Sequence, residues 1–526
     1  MGTYSEWQKR LGIGLEATWT TGVDSTLPIP IKEYPNFQLG RNTIESDSLT
    51  GMAYNRIDVQ QRVRGRNAPT VSLTFDVNCD YIVYFLYALF QRVWESATSP
   101  YPKTYVPYAK NPDFAAKSSA SYPCLLSVVG DNRIDSEGHK IDGALCSNLK
   151  FECEEGGILQ ATAVMQGRNM ATNDATQTGD DFTSFSTAAP LLWENAKVLL
   201  ARQGATAGVQ GTFAITGADA TEVVVAGDQT SYIATGNYIT FGITISASND
   251  CIVIEEDTGN TVAVTIDTGV YSPYELCLEL EEKINLESDL ANTYYVSFDP
   301  KDRKFLFTRN TGSLDFRVDE EDGSQQMNGT LGFDGSNDAV GTTYTSDTAI
   351  TWNANAYPIT NVAYSTSTTV TVALDRDPTE ATVPQSIQIW HDFDSRGFNL
   401  ELINNVASHF WNATTVQNHT LGRFTGSGSL IMPWGQYSTD ENKSLNDFIA
   451  GYRTPIIIYW AGLGEDDNDF MIFMNAYYTG ANETEDIVRM IELPFDLVRD
   501  DASNRVNLPC YIIATNGTDL SWTVDG

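Results

Sequence analysis

An internal repeat narrows most what this chain can fold into. Set against itself at an offset of 357, the stretch 42–73 aligns without gaps on 399–430. Eight of those 32 positions are identical: Asn42/Asn399, Asn55/Asn412, Val59/Val416, Gln60/Gln417, Gly65/Gly422, Arg66/Arg423, Ser72/Ser429 and Leu73/Leu430. Unrelated stretches of average composition would share roughly two. Tyr54/Trp411, Asp47/Asn404 and Leu49/Val406 add similar pairs. Further on the offset becomes 332, where YPCLLSVVG (122–130) meets TPIIIYWAG (454–462) through Pro123/Pro455 and Gly130/Gly462. The 25 extra residues of the first copy fall in a Pro/Tyr-rich loop near 97–121. Both copies then read as long excursion, strand, helix, strand, and further strands ending near Gly167 and Arg499. One module present twice accounts for that order.

The local pattern is mainly β. Short alternating or β-branched runs bounded by Gly, Asn, Asp and Pro recur, as in TVSLTFDV (70–77), LLSVVG (125–130), VTVAL (370–374) and FMIFMNAYY (470–478). Three helices are expected. DYIVYFLYALFQRVWE (80–95) has the length of a buried helix, although its aromatic and β-branched content also suits a strand; ENKSLNDFIAG (441–451) fits a short amphipathic one. In SPYELCLELEEKINLE, Ser272 is placed as N-cap, Pro273 as N1 and Glu275 as the returning partner, with Leu276, Leu280 and Ile284 on one face.

A length of 526 residues calls for two or three domains. Residues 1–204 and 351–526 are taken as two related β domains and 205–350 as an inserted α+β domain. The insert carries 24 Asp+Glu against 6 Lys+Arg, a net −18, which is half the −36 of the whole chain. So charged a surface belongs in solvent, so the insert is expected on the outside of any assembly.

Composition removes several functions. Strong acidity disfavours binding to DNA or to an anionic membrane. The longest apolar run, 82–90, is under half a membrane span, and the first twenty residues hold no secretory apolar core. Seven Cys with no C-x-x-C spacing read as reduced thiols of a cytosol-assembled protein. His139, His391, His409 and His419 show no metal-ligand spacing, and no nucleophile elbow or phosphate loop is present. Carboxylate pairs such as Glu154/Glu155, Glu255/Glu256 and Asp392/Asp394 carry little information in so acidic a chain. The loops DEEDG (319–323) and GEDDND (464–469) lack EF-hand spacing and read as solvated. No catalytic group, cofactor or metal is expected.

Arg56, Arg62, Arg64 and Arg66 form the densest basic run, RIDVQQRVRGR. Interleaved Asp and Gln without aromatics speak against nucleic acid, whereas Arg suits bidentate pairing with carboxylates of a protein partner. A solvated hairpin is the alternative.

The stretches GIGLEATWTTGVDSTLPIPIKEY, IESDSL and SLTFDVNCDYIVYFLYALF resemble phage tail tube proteins. LGRFTGSGSLIMPW, TPIIIYWAG and MIELPFDLVRD are similar to the second half of two-domain members, leaving the insert outside the likeness; Trp19-Thr20-Thr21-Gly22 departs from the family's compact turn. The insert itself resembles small decoration modules of phage structural proteins. The resemblance implies β-sandwich domains, each flanked by a helix, that form rings around an inner barrel and stack into a hollow tube. Two modules per chain then imply a trimer of pseudo-sixfold symmetry, with a hexamer of chains as the more crowded option. The excursions 41–67 and 398–424 become ring-stacking loops, and Arg56, Arg62, Arg64, Arg66, Trp411, Asn412 and Arg423 become inter-ring contacts. Partners would be further copies, other tail proteins and genomic DNA passing without specific binding, in a virion tail assembled in the host cytoplasm. A capsid decoration or baseplate protein, or a carbohydrate-binding β-protein, is the competing expectation.

Overall fold

The computed structural model describes residues 9–19, 21–22, 27–46, 61–96, 99, 101–107, 114, 123–132, 137–172, 186, 188–201, 212–219, 222–226, 235–257, 259–320, 327–350, 357–366, 369–374, 386–411, 413, 415–433, 453–460, 469–484, 490–498 and 508–516. The chain is mainly β and divides into two compact units. The first comprises 1–92, 107–193 and 398–427; the second comprises 93–106, 194–397 and 428–526. Each half of the sequence thus lends a short segment to the other unit.

Unit 1 is built on an antiparallel series. Strands β1 (Lys9–Leu15), β2 (Leu27–Ile29), β3 (Gln38–Ser46) and β4 (Gln61–Asp76) precede helix α1 (Cys79–Phe90). Strands β5 (Val93–Glu95) and β6 (Pro102–Tyr105) belong to unit 2, and β7 (Leu126–Asn132), β8 (Glu137–Glu154), β9 (Gln160–Gln166) and β10 (Asn169–Thr172) return to unit 1. Successive pairings run β2–β1–β7–β8–β9–β4, with β3 folded back on β4.

The aromatic stretch after β4 is a helix because it is surrounded. Ten of the twelve α1 residues are buried, and an all-round apolar helix has to lie inside a core. Its ends carry local signals. The Asn78 side chain accepts from the Asp80 N–H at 3.1 Å, and Gln91 ends the helix at φ 60°. A non-glycine residue tolerates that left-handed backbone here because its buried amide is fully used. It donates to the Cys124 carbonyl at 3.0 Å and accepts from the Cys124 N–H at 2.8 Å.

The later part of the chain repeats the strand series, with 398–427 belonging to unit 1. Strand β11 (Ala196–Ala201) is followed, after the acidic part, by β12 (Ser386–Asp392) and β13 (Gly397–Ile403). Then come β14 (Ala407–His409), β15 (Asn418–Thr420), β16 (Thr425–Pro433), β17 (Arg453–Trp460), β18 (Phe470–Tyr478), β19 (Asn482–Thr484), β20 (Met490–Leu497) and β21 (Cys510–Thr515). Pairings run β12–β11–β17–β18–β20–β16, the order of unit 1 with each strand replaced by its later counterpart. The intervening part 202–385 interrupts this series between β11 and β12. The expected helix at 441–451 lies outside the described residues.

Within the acidic part, α2 (Pro273–Leu286) has the cap its sequence implies. The Glu275 N–H donates to Ser272 Oγ at 3.3 Å and the Ser272 N–H to Glu275 Oε2 at 3.0 Å. Leu276, Leu280 and Ile284 are fully buried in a core that also holds Trp94, Val106, Tyr511 and Ile513. Tyr274 stacks on Trp94 at 5.5 Å and tilts against Tyr511 at 5.0 Å. The core of the acidic part is therefore continuous with the rest of unit 2. All seven cysteines are free thiols, six of them buried. Among the described residues no helix is long and apolar enough to cross a membrane.

Candidate assembly surface

The segment 398–427 reaches unit 1 as an arm with its own anchors. Strand β13 pairs with β8; the Asn404 N–H donates to the Ser147 carbonyl at 2.9 Å, and Asn148 donates to Glu401. The Asn404 side chain caps the Leu89 carbonyl at 2.6 Å, using a helix-end acceptor that has no intrahelical partner. Beyond it, β14 and β15 form a hairpin with Ser408 opposite His419. Val406, Phe410, Val416 and Leu421 of this arm pack with Trp19, Phe114, Leu125 and Leu145 in one apolar cluster.

His419 pins the hairpin. It is fully buried, edge-on to Trp19 at 5.3 Å, with Nε2 3.3 Å from the Gly143 carbonyl and Nδ1 3.1 Å from Ser408 Oγ. A carbonyl only accepts, so Nε2 carries the proton and Nδ1 takes one from Ser408. Gln166 in turn donates to Ser408 at 2.7 Å. Burial holds the imidazole down from 6.5 to about 4. Between those values the unfolded chain takes up a proton that the folded one refuses. Stability is therefore complete above pH 6.5 and falls as pH drops toward 4, by about 3 kcal/mol over the window. Amide exchange of 407–409 and 418–420 measured at pH 7 and pH 4.5 is expected to show the loss. A His419→Gln variant should lose that share of the acid sensitivity; an unchanged pH profile would contradict the assignment.

At the tip of this hairpin Trp411 is 67% exposed, the most exposed aromatic among the described residues, stacked on His409 at 6.0 Å. His409 is itself held by Thr420 at 2.8 Å. Trp411 also has φ 29°, a backbone conformation costing a bulky residue on the order of 1–3 kcal/mol. An exposed indole held at that cost makes this tip a candidate contact surface. Arg423 is exposed at the other end of the hairpin, its carbonyl accepting from Asn405 at 2.7 Å. Asn412 lies outside the described residues, as does Arg56.

Arg62 and Arg64 stand on β4, opposite Glu45 and Thr43 of β3, and Arg66 lies at the register shift between Arg41 and Thr43. The hairpin thus places Arg62 and Arg64 at alternate positions, while the β-bulge at Gly65 and Arg66 breaks the alternation before Arg66.

Carboxylates elsewhere serve structure. Glu256, fully buried, accepts from the Ala291 and Asn292 N–H groups and from Tyr294, and Glu255 pairs with Arg317 at 2.8 Å. Asp392 pairs with Lys197 at 2.8 Å, while Glu154 and Glu155 are exposed. Among the described residues one acidic group, Glu320, Asp334 and Asp347, brings its oxygens within 4.8 Å. Its oxygens are engaged by the loop: Glu320 accepts from Tyr344 at 2.5 Å and from the Gly335 N–H at 3.0 Å, and Asp347 from the Asp334 N–H at 3.0 Å. Of GEDDND only Asp469 is among the described residues, and it is buried.

Sequence reasoning missed His419 and His409. The role of His419 comes from partners far along the chain, Gly143 and Trp19, which no local spacing announces, whereas His409 is held by Thr420 and Trp411 of its own hairpin.

Residues 7–248 match the model of a family described as phage tail tube protein, a span that begins just ahead of β1 and ends just past residue 245. No curated protein matches the chain. The family is a structural one, and its members are components of the virion tail.

Proposed function

We infer that this chain, a phage tail tube protein over residues 7–248, is the subunit of a hollow tube built from trimeric rings. Each chain supplies two modules, so three chains close a ring of pseudo-sixfold symmetry. One observation carries this reading: the order β2–β1–β7–β8–β9–β4 recurs as β12–β11–β17–β18–β20–β16. Contacts between unlike surfaces close rings or run on as filaments, and a tube needs both. Arg56, Arg62, Arg64 and Arg66 of the first excursion, with Trp411, Asn412 and Arg423 of the second, join one ring to the next. The acidic insert faces outward.

Removing the insert 205–350 leaves a net −18 on the remainder. An acidic wall repels a polyanion weakly over about 8 Å at physiological salt, so DNA slides without binding. Assembly with further copies and other tail proteins takes place in the host cytoplasm.

Negative-stain microscopy of the purified chain tests the reading. Hollow tubes, or rings with threefold mass and sixfold outline, are the expected result. Monomers or particles without a central hole under all assembly conditions would overturn it.

A further inference from the structure

Strand β6 pairs on one side with β5 and on the other with β21, the last strand of the chain. In these registers Lys103 stands opposite Glu95 and also opposite Ala514, and cross-strand partners point to the same side of a sheet. Asn516, two positions beyond Ala514, turns its side chain to that side as well. Lys103 Nζ consequently lies 2.9 Å from Glu95 Oε1 and 2.6 Å from Asn516 Oδ1. Lys103 and Asn516 are 0% and 2% exposed, and the Glu95 side chain 4%. The neighbouring cross-strand row, Val93, Tyr105 and Ile512, is buried, as is Ala514. All of these residues belong to unit 2. An ion pair needs only the carboxylate; here a carboxamide, which is an electrophile, is held against the same amine in an interior closed to solvent.

We propose that the folded chain joins Lys103 to Asn516 by an isopeptide bond between Nζ and Cγ, with Glu95 carrying the protons. Cγ is one carbonyl bond, about 1.2 Å, beyond Oδ1, so Nζ is at most about 3.8 Å from it, close to the separation at which oriented groups react. In the newly folded chain Lys103 is an ammonium paired with Glu95. Nζ first passes a proton to Glu95 Oε1, which turns two buried charges into two neutral groups, a change that a dry interior favours. The neutral amine attacks Cγ, forming the Nζ–Cγ bond and leaving negative charge on Oδ1. Glu95 gives its proton to Nδ2 and takes a second one from Nζ. The Cγ–Nδ2 bond then breaks, Oδ1 returns its electron pair to the carbonyl, and the ammonia that leaves takes up the proton remaining on Glu95. An alkylammonium and a carboxamide become a secondary amide and an ammonium ion, so the balance needs no oxidant or co-reactant. The amine is neutral only in the proton-transferred state, so the step is slower than folding, and variant stabilities measured on newly folded chain report the ion pair alone. The bond joins positions 413 apart and locks the segment 93–106 onto the last strand of unit 2, however the chain assembles.

Mass spectrometry of the full chain, followed through a long incubation at neutral pH, reads the bond. The folded wild type should lose the mass of one ammonia and, on tryptic digestion, yield a branched peptide that joins the segments holding Lys103 and Asn516. The branched peptide is the decisive product, because Asn516 precedes Gly517 and ring closure onto the Gly517 N–H also expels ammonia. Lys103→Arg, Asn516→Ala and Glu95→Gln should each give none, with far-ultraviolet circular dichroism reporting whether the variant is folded. Wild type kept in denaturant should give none either, since the fold is what aligns the three groups. Should a variant fail to fold, the contrast between folded and denatured wild type decides. Full mass retained by the folded wild type, or loss of ammonia without the branched peptide, overturns the proposal; a branched peptide formed equally fast by folded Glu95→Gln overturns the part given to Glu95.

Discussion

Replacing Arg62, Arg64 and Arg66 together by Glu leaves folded rings that do not stack. The three residues lie within five positions of β4, so reversal turns this stretch of the β3–β4 hairpin from +3 to −3 at those positions. In a chain whose formal charge is already −36, an inter-ring surface made wholly acidic repels its neighbour. Close charge pairs at protein interfaces are coupled by about 1.5–7 kcal/mol, so losing three in each of several equivalent contacts abolishes stacking outright. The readout is microscopy beside sedimentation: tubes vanish, trimers remain, and the melting profile is that of wild type. Normal tubes from the triple variant would remove these arginines from the inter-ring contact. Lys at the same three positions tests geometry separately, because it keeps the charge but loses the bidentate fork.

Lys103→Met is expected to destabilise unit 2 by about 3–5 kcal/mol. Lys103 is completely buried on β6, 2.9 Å from Glu95 of β5, whose side chain is 4% exposed. Asn516 Oδ1 at 2.6 Å and the Tyr101 carbonyl at 3.0 Å accept its remaining protons. Methionine fills the volume but leaves the Glu95 carboxylate in the interior without its cation. The double variant Lys103→Met, Glu95→Gln removes both charges and should recover most of the loss, since a buried pair is a weak net stabiliser but costly to break. Denaturant midpoints of the two variants decide the matter. Equal loss in both would mean that the ion pair is not what holds this hairpin.

Much of this was readable in the residues. Ser272, Pro273 and Glu275 announced α2 because a capping box is a short-range arrangement fixed by neighbours in sequence. The stretch from Cys79 was ambiguous by propensity; burial on every side decided it, and burial is a property of the fold. Identities such as Asn42/Asn399 and Leu73/Leu430 pointed to equivalent strands, β3 with β13 and β4 with β16. Hidden from the sequence was the exchange of segments: nothing in 93–106 or 398–427 states which unit they complete.

The arm 398–427 has a consequence for how the protein is made. Chains leave the ribosome from the N-terminus, yet unit 1 lacks its last segment until residue 427 has been added, 234 positions after residue 193. At roughly 5–20 residues per second that delay is on the order of 10–50 s. Throughout it Leu125, Leu145 and Trp19 wait without the side chains that seal them. A nascent chain with so long a vacancy invites chaperones, and in a crowded polysome it could borrow the missing piece from a neighbour, a first step toward assembly before synthesis ends.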